Sequence, residues 1–275
     1  HAYPVANVRL REGYAKHQAP SSGNDIALVT LARRCDGPPH RDHPQWPAFF
    51  DELDKLGLVD GRTIDIVIMS ADHQLTRLEG LARELAAARP DVVIAVNTPG
   101  SLAATKLITG PPIIICDVVD PVGIGVAESL ARPGRNRTGV SNQGAELTSK
   151  RLSILRALVP TAKRYAVLFH PDDPNTLPQR REAEQAAPSL EIEVGLFEAR
   201  GAGDLDATFA RIDAWRADTA IWLSGQAIGM QPRIIELAQA RHLPTMVLAK
   251  ERVHAGGLVS YFPDQAEIYR RVAGL

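Results

Sequence analysis

Residues 90–116 read PDVVIAVNTPGSLAATKLITGPPIIIC, and this stretch decides the fold class. Val92, Val93, Ile94, Ala95 and Val96 form an unbroken apolar run of strand length. A run with no polar alternation suits a strand covered on both faces, as in a parallel sheet. Asn97, Thr98, Pro99, Gly100 and Ser101 then supply turn and helix-start chemistry, with Thr98 placed to cap and Pro99 to occupy the first helical position. Leu102 and Leu107 lie on the helix that follows, and Ile113, Ile114, Ile115 and Cys116 make the next apolar run. Strand, helix, strand within about 25 residues is a βαβ unit, whose two strands run parallel.

The same rhythm extends outward in both directions. Upstream, residues 26–31 and 64–69 read as strands. Between them lies an amphipathic helix over 45–56 carrying Trp46, Phe49, Phe50, Leu53 and Leu56 and stopped by Gly57. A further helix, capped by Asp72 and faced by Leu75, Leu78, Leu81 and Leu85, stops before Pro90. Downstream, strands are predicted at 165–169, 191–196, 219–223, 245–248 and 257–261, and helices at 147–158, 176–187, 205–215 and 232–240. Asp264 is placed to cap a last helix. A stretch rich in Pro, Gly, Asn and Arg at 133–142 divides the two sets. The expected fold is therefore α/β, with two doubly wound parallel-sheet lobes, a hinge and a central cleft. The first lobe spans 24–140 plus 262–275, the second spans 141–261, and residues 1–23 form an extension without sustained periodicity.

Composition narrows the function classes. The 275 residues carry 31 Lys and Arg against 32 Asp and Glu, a net charge of −1. That balance argues against nucleic acid as a partner. The arginines at 132, 135, 137, 180 and 181 lie among polar and acidic neighbours and read as solvated surface. No apolar run reaches the roughly 18 residues that a spanning helix needs. Two cysteines, Cys35 and Cys116, do not make a disulfide framework; Cys116 reads as a small buried hydrophobe, and a Cys35–Cys116 bridge is the less favoured alternative. His40, Asp42 and His43 sit in a proline-rich loop without further ligands, so no metal is expected. Gly123, Ile124 and Gly125 open like a dinucleotide fingerprint, but Glu128 stands at its third glycine position, and no cofactor is expected.

In open α/β sheets a ligand binds beyond the carboxyl ends of the strands. The loops to inspect are therefore Arg33–Arg34, 97–101, 117–121, 170–175, 224–226 and 250–251. The start of the helix at 98–101 suits a carboxylate.

Several segments, in order, resemble one family: LGLVDGR at 56–62, the 77–99 unit, DPVG at 120–123, SLARPGRNRTG at 129–139, KRL at 150–152, HPDDPN at 170–175 and AGGLVSYFPD at 255–264. The chain is similar, over roughly residues 26–275, to the substrate-binding proteins of ABC transporters, in the tryptophan/tyrosine-type family with the type I periplasmic-binding fold. That resemblance implies a non-enzymatic protein, periplasmic or lipid-anchored on the outer side of the cytoplasmic membrane, with its signal peptide removed. Such a protein closes on a small organic solute (an amino acid, aromatic ones included, or a related carboxylate) and delivers it to a membrane permease. It implies a monomer and a cleft lined by Thr98, Ser101, Asp120, Pro121, Asn175, Ser224, Gln226 and Glu251, with Asp120 or Glu251 pairing an ammonium group. The chain departs from the family in its long charged loop at 33–44, in His170, Asp172 and Asp173, and in stopping at Leu275, which reads as a fragment or shortened tail. Two other classes fit the fold: the effector-binding domain of a regulator, and a two-lobed enzyme such as a sugar-nucleotide transferase or racemase. Residues 1–23 do not read as a DNA-binding segment, and no paired acid/base or cysteine set stands in the loops.

Overall fold

A computed structural model describes residues 27–31, of which only the backbone is considered, together with 46–71, 74–223, 230–248 and 250–275. The readings made for residues 1–23, Arg33–Arg34, Cys35, the 40–43 loop and the Asp72 cap lie outside the described residues. The chain divides into two compact units: one runs up to Asn142 and resumes over Asp264–Leu275, and the other is Gln143–Pro263.

The first unit holds β1 (Ala27–Leu31), β2 (Ile66–Ser70), β3 (Val92–Val96), β4 (Ile113–Val118) and β5 (Arg137–Ser141) in the order β2-β1-β3-β4-β5. Side chains alternate across this sheet as strand geometry demands. Val93, Ala95, Ile113 and Ile115 face one layer, where they meet α2 (Leu78–Ala88) and α3 (Asn97–Leu107). Ile94, Val96, Ile114 and Cys116 face the other, against α1 (Trp46–Lys55) and α9 (Gln265–Ala273). Helix α1 buries Trp46, Phe49, Phe50 and Leu53, spaced three and four residues apart on one face. Trp46 meets Tyr269 of α9 edge-on at 5.4 Å between ring centres. Asp264 caps α9 as expected, accepting a hydrogen bond from the Glu267 amide at 3.2 Å.

One strand departs from the expectation of an all-parallel sheet. β1 runs antiparallel to both neighbours, with Leu31 opposite Val92 and Leu28 opposite Ala95. It therefore ends at the amino edge of β3. Mixed sheets with a single reversed strand are common in this class. A second difference is β5, which the sequence reading passed over as part of the polar break. Its burial is only partial, so selection for apolar side chains is weak there.

The second unit is wholly parallel: β6 (Arg164–Phe169), β7 (Glu193–Glu198), β8 (Thr219–Trp222), β9 (Thr245–Val247) and β10 (Val259–Ser260), ordered β10-β9-β8-β6-β7. Leu168, Ala220 and Trp222 pack under α6 (Leu205–Trp215) and α7 (Gln231–Gln239). Tyr165, Val167 and Ile221 pack under α4 (Glu146–Leu158) and α5 (Thr176–Ala186). A short helix, α8 (Lys250–His254), fills what the sequence suggested was a loop. Fully buried Arg151 of α4 donates from Nε to the Tyr261 carbonyl at 2.9 Å and lies over the Phe262 ring. It thereby holds the chain as it leaves β10. Burial pulls its pKa down to about 10, so it stays charged at neutral pH.

Candidate functional site

The carboxyl edge of each sheet is described separately. In the first unit, strand β3 passes into α3 with no intervening loop. The helix begins two residues earlier than expected, with Val96 at its cap position and no side-chain cap. Thr98 is therefore not the cap. Thr98 and Ser101 are both completely buried. The Thr98 hydroxyl accepts from the Val119 amide at 3.5 Å, and the Ser101 hydroxyl donates to the Ala95 carbonyl at 3.2 Å. These two side chains tie α3 to the ends of β3 and β4. Their hydroxyls bond the protein's own backbone.

Asp120 follows β4 and uses its Oδ1 to accept from the Gly123 amide at 2.8 Å. A Cβ on Gly123 would lie 2.0 Å from Asp120 Oδ2, so a larger residue there would displace the carboxylate. Asp120 therefore organises its own turn, with Pro121 buried beside it. The start of α3 with Thr98 and the segment after β4 with Asp120 are brought together, as adjacent parallel strands require.

The residues that stand out at this edge open the two loops singled out from sequence, at 97–101 and 117–121, but were not among the residues expected to line the cleft. Asn97 and Asp117 directly follow Val96 and Cys116, which are paired in register. Both have a positive φ, +51° and +61°, a region that Asn and Asp enter more readily than most residues. At Asp117 the ladder is irregular between Cys116 and Val118. The half-buried Asp117 carboxylate accepts through one oxygen, Oδ1, from Asn142 Nδ2 at 2.8 Å and from Gln265 Nε2 at 3.3 Å. Asn142 and Gln265 flank the points where the chain leaves and re-enters this unit. The Asn97 Oδ1 is buried and has no hydrogen-bond partner.

Burial pushes the Asp117 carboxyl up to about 6, against the partial relief from its two amide donors. Of its titratable neighbours, Cys116 on its own strand and Tyr269 on α9 are both held neutral, their pKa values raised by burial and by the charge of Asp117. A carboxyl raised in the folded state favours folding at low pH. That advantage is complete below about pH 4, the unfolded value, and is lost as pH rises through about 6. The neutral isostere Asp117→Asn should therefore gain about 3 kcal/mol relative to the parent at pH 7.5 and only about 1 kcal/mol at pH 4.5. Urea unfolding at the two pH values checks this, and an equal difference at both would sink it.

In the second unit, the turn after β6 is polar and tightly self-bonded. Asn175 is buried; its amide and its Nδ2 both donate to Asp173 Oδ1 at 2.9 Å, while its carbonyl accepts from Gln179 Nε2 at 2.8 Å. His170, mostly buried, accepts at Nδ1 from the Asp172 amide at 3.2 Å. Asp172 pairs with Arg200 across the ends of β6 and β7. Glu251 lies exposed on α8. Ser224 and Gln226 fall outside the described residues. Among the described residues no group of three or more His, Cys, Asp or Glu could hold a metal ion, and no helix is long and apolar enough to cross a membrane.

Comparison with known proteins gives this edge chemistry a context. A tyrosine-binding protein of Clostridioides difficile (strain R20291) is 30% identical over 128 residues, covering 46% of this chain and 36% of that relative. The matched stretch thus spans about a third of the relative's length. A conserved domain protein from Vibrio cholerae superposes with a TM-score of 0.76 at 21% identity, covering 83% of this chain and 76% of the other. An ABC domain from Streptococcus pneumonia, in complex with L-Trp, gives a TM-score of 0.75 at 21% identity, with 84% and 79% covered. At that identity the two structures establish the α/β fold with its two strand sets, in agreement with the strand–helix alternation of the sequence. The sequence profile of the ABC transporter substrate binding protein family matches residues 45–274, most of both units. The chain belongs to the family of ABC transporter substrate-binding proteins.

Proposed function

We propose that this protein is the extracytoplasmic solute-binding component of an ABC uptake transporter, taking an amino acid, aromatic ones included, or a related small carboxylate. The observation that carries the reading is the family match, which extends through both units over residues 45–274. The tyrosine-binding relative and the L-Trp complex support the ligand class. In this reading the two units close on the ligand, because contacts made by both favour the closed arrangement by their differential affinity. The loaded protein then hands its solute to the permease, acting as a periplasmic or lipid-anchored monomer without catalysis. Thr98 and Ser101 serve by fixing the edge of β3 and β4, and Asn175 by fixing the turn after β6.

The test is a thermal-shift screen with L-tyrosine, L-tryptophan, L-leucine and benzoate, followed by calorimetry on any hit. A ligand present at 100 times its Kd should stabilise the protein by about 2.7 kcal/mol. Recovery of the compound unchanged after incubation is expected. Chemical turnover of a compound would replace the binding reading with an enzymatic one.

A further inference from the structure

We propose that Asp117, with Asn97 beside it, is the acceptor site for a positively charged ammonium group of the ligand, a contact for which the sequence suggested Asp120 or Glu251. This rests on the solute-binding reading above and names the group that the first unit recognises.

The argument starts from position. Asn97 and Asp117 are the next residues after the paired Val96 and Cys116, so the register sets them side by side at the carboxyl ends of adjacent parallel strands. That is where ligands bind in sheets of this kind. Both residues leave strand geometry there with a positive φ. Asn and Asp are not needed at such positions for packing alone, since glycine meets the backbone requirement at lower cost.

The second step is hydrogen-bond accounting. Asp117 Oδ1 is engaged by Asn142 Nδ2 and Gln265 Nε2, which fix the carboxylate plane. Among the described residues no hydrogen bond or ion pair reaches its Oδ2. Asn97 Oδ1 is buried with no partner. A buried acceptor without a donor is costly, and native proteins seldom leave one so. The edge thus offers two acceptors. An ammonium group, which is all donor and positively charged, is the complement; a carboxylate would be repelled.

The third step is charge. Asp117 is half-buried, and its titratable neighbours Cys116 and Tyr269 are uncharged. Its negative charge at neutral pH is thus poorly hydrated and uncompensated within the described residues, and a bound cation would relieve it. The two acids singled out from sequence lack this setting. Asp120 bonds the backbone of its own turn through Oδ1 and has no side-chain donors orienting it as Asn142 and Gln265 orient Asp117, and Glu251 is exposed on a five-residue helix.

The test is calorimetric titration of the parent chain, Asp117→Asn and Asn97→Gly with four probes. L-tryptophan and L-tyrosine carry the amine; indole-3-propionate and 3-(4-hydroxyphenyl)propionate lack it. The parent should prefer the amine-bearing member of at least one pair by tenfold or more. Asp117→Asn should weaken the amine-bearing compound at least tenfold and leave the amine-free one within about twofold. Asn97→Gly, which keeps the positive φ accessible, should lose a few-fold in the same direction. At pH 6 the parent should release protons on binding the amine, because pairing lowers the Asp117 carboxyl, and Asp117→Asn should not. Unchanged binding of the amine by Asp117→Asn would overturn the inference alone. So would an equal loss for both members of a pair, which would make Asp117 a clamp for Asn142 and Gln265. If the parent binds none of the four, the amino-acid reading fails and the inference falls with it.

Discussion

Replacing Gly139 by alanine is expected to unfold the first unit under mild conditions, at a cost of about 2–6 kcal/mol. Gly139 lies in β5 opposite Ile115 of β4. Its φ is +157°, outside the range that residues with a side chain favour, and a Cβ there would sit 2.0 Å from the Ile115 carbonyl oxygen. Backbone strain of this kind costs about 1–3 kcal/mol. Forcing apart a packed interior costs about 1–3 kcal/mol more. The obstacle is the β4 backbone, which cannot yield without loosening the pairing that carries Asp117 and Asn142. Gly61→Ala is the control: φ is +73° but nothing lies within 4 Å of the added carbon, so about 1 kcal/mol is expected. Urea denaturation followed by circular dichroism separates the two. Equal, small losses would mean that the Gly139 contact relaxes freely.

The importance of Gly139 was not legible beforehand, and the reason is physical. Strands buried on both faces advertise themselves, as β3, β4, β6 and β8 do through runs such as Val92–Val96 and Thr219–Trp222. An edge strand with one open side has no such signature, so Arg137–Ser141 read as a polar break. The direction of β1 was equally hidden, since an apolar run does not record its polarity. Helix faces were legible where apolar residues recur at helical spacing, as at Trp46–Lys55, and the start of α9 was legible from its cap, Asp264 with Glu267.

The site was legible only as a set of loops. Sheet topology directs attention to the carboxyl ends of strands, and Thr98, Asp120 and Asn175 all lie there. What a residue does within such a loop depends on hydrogen bonds made across the fold. Thr98 to Val119 spans 21 residues, and Gln265 to Asp117 spans 148. Little in the local pattern separates Asp117 from Asp120, three residues away. The one available signal was that Asp117 directly ends an apolar run, which places a carboxylate where hydration is poor. By contrast Asp120 begins a Pro–Gly turn, a setting in which a carboxylate more often bonds its own backbone.

Trp222→Ala should destabilise the second unit by about 3–5 kcal/mol, while Trp222→Phe should cost only about 1 kcal/mol. Trp222 is the largest fully buried side chain of the described residues, packed in the layer with Leu205, Phe209, Ile234 and Leu237. Truncation to alanine leaves a void that two covering helices must either tolerate or collapse into. The phenylalanine variant retains most of the ring volume. It also removes the indole Nε1–H, which is buried without a hydrogen-bond partner, so part of the lost packing is offset by a relieved desolvation cost. The ratio of the two losses therefore tests whether packing or the indole N–H dominates, and a phenylalanine variant as damaged as the alanine one would refute the packing account. Because Gly139 belongs to the first unit and Trp222 to the second, the same urea curves report on cooperativity. Separate transitions, each shifted by its own variant, would mean that the units unfold independently. A single shared transition, moved by either change, would mean that the stability of one unit depends on the other.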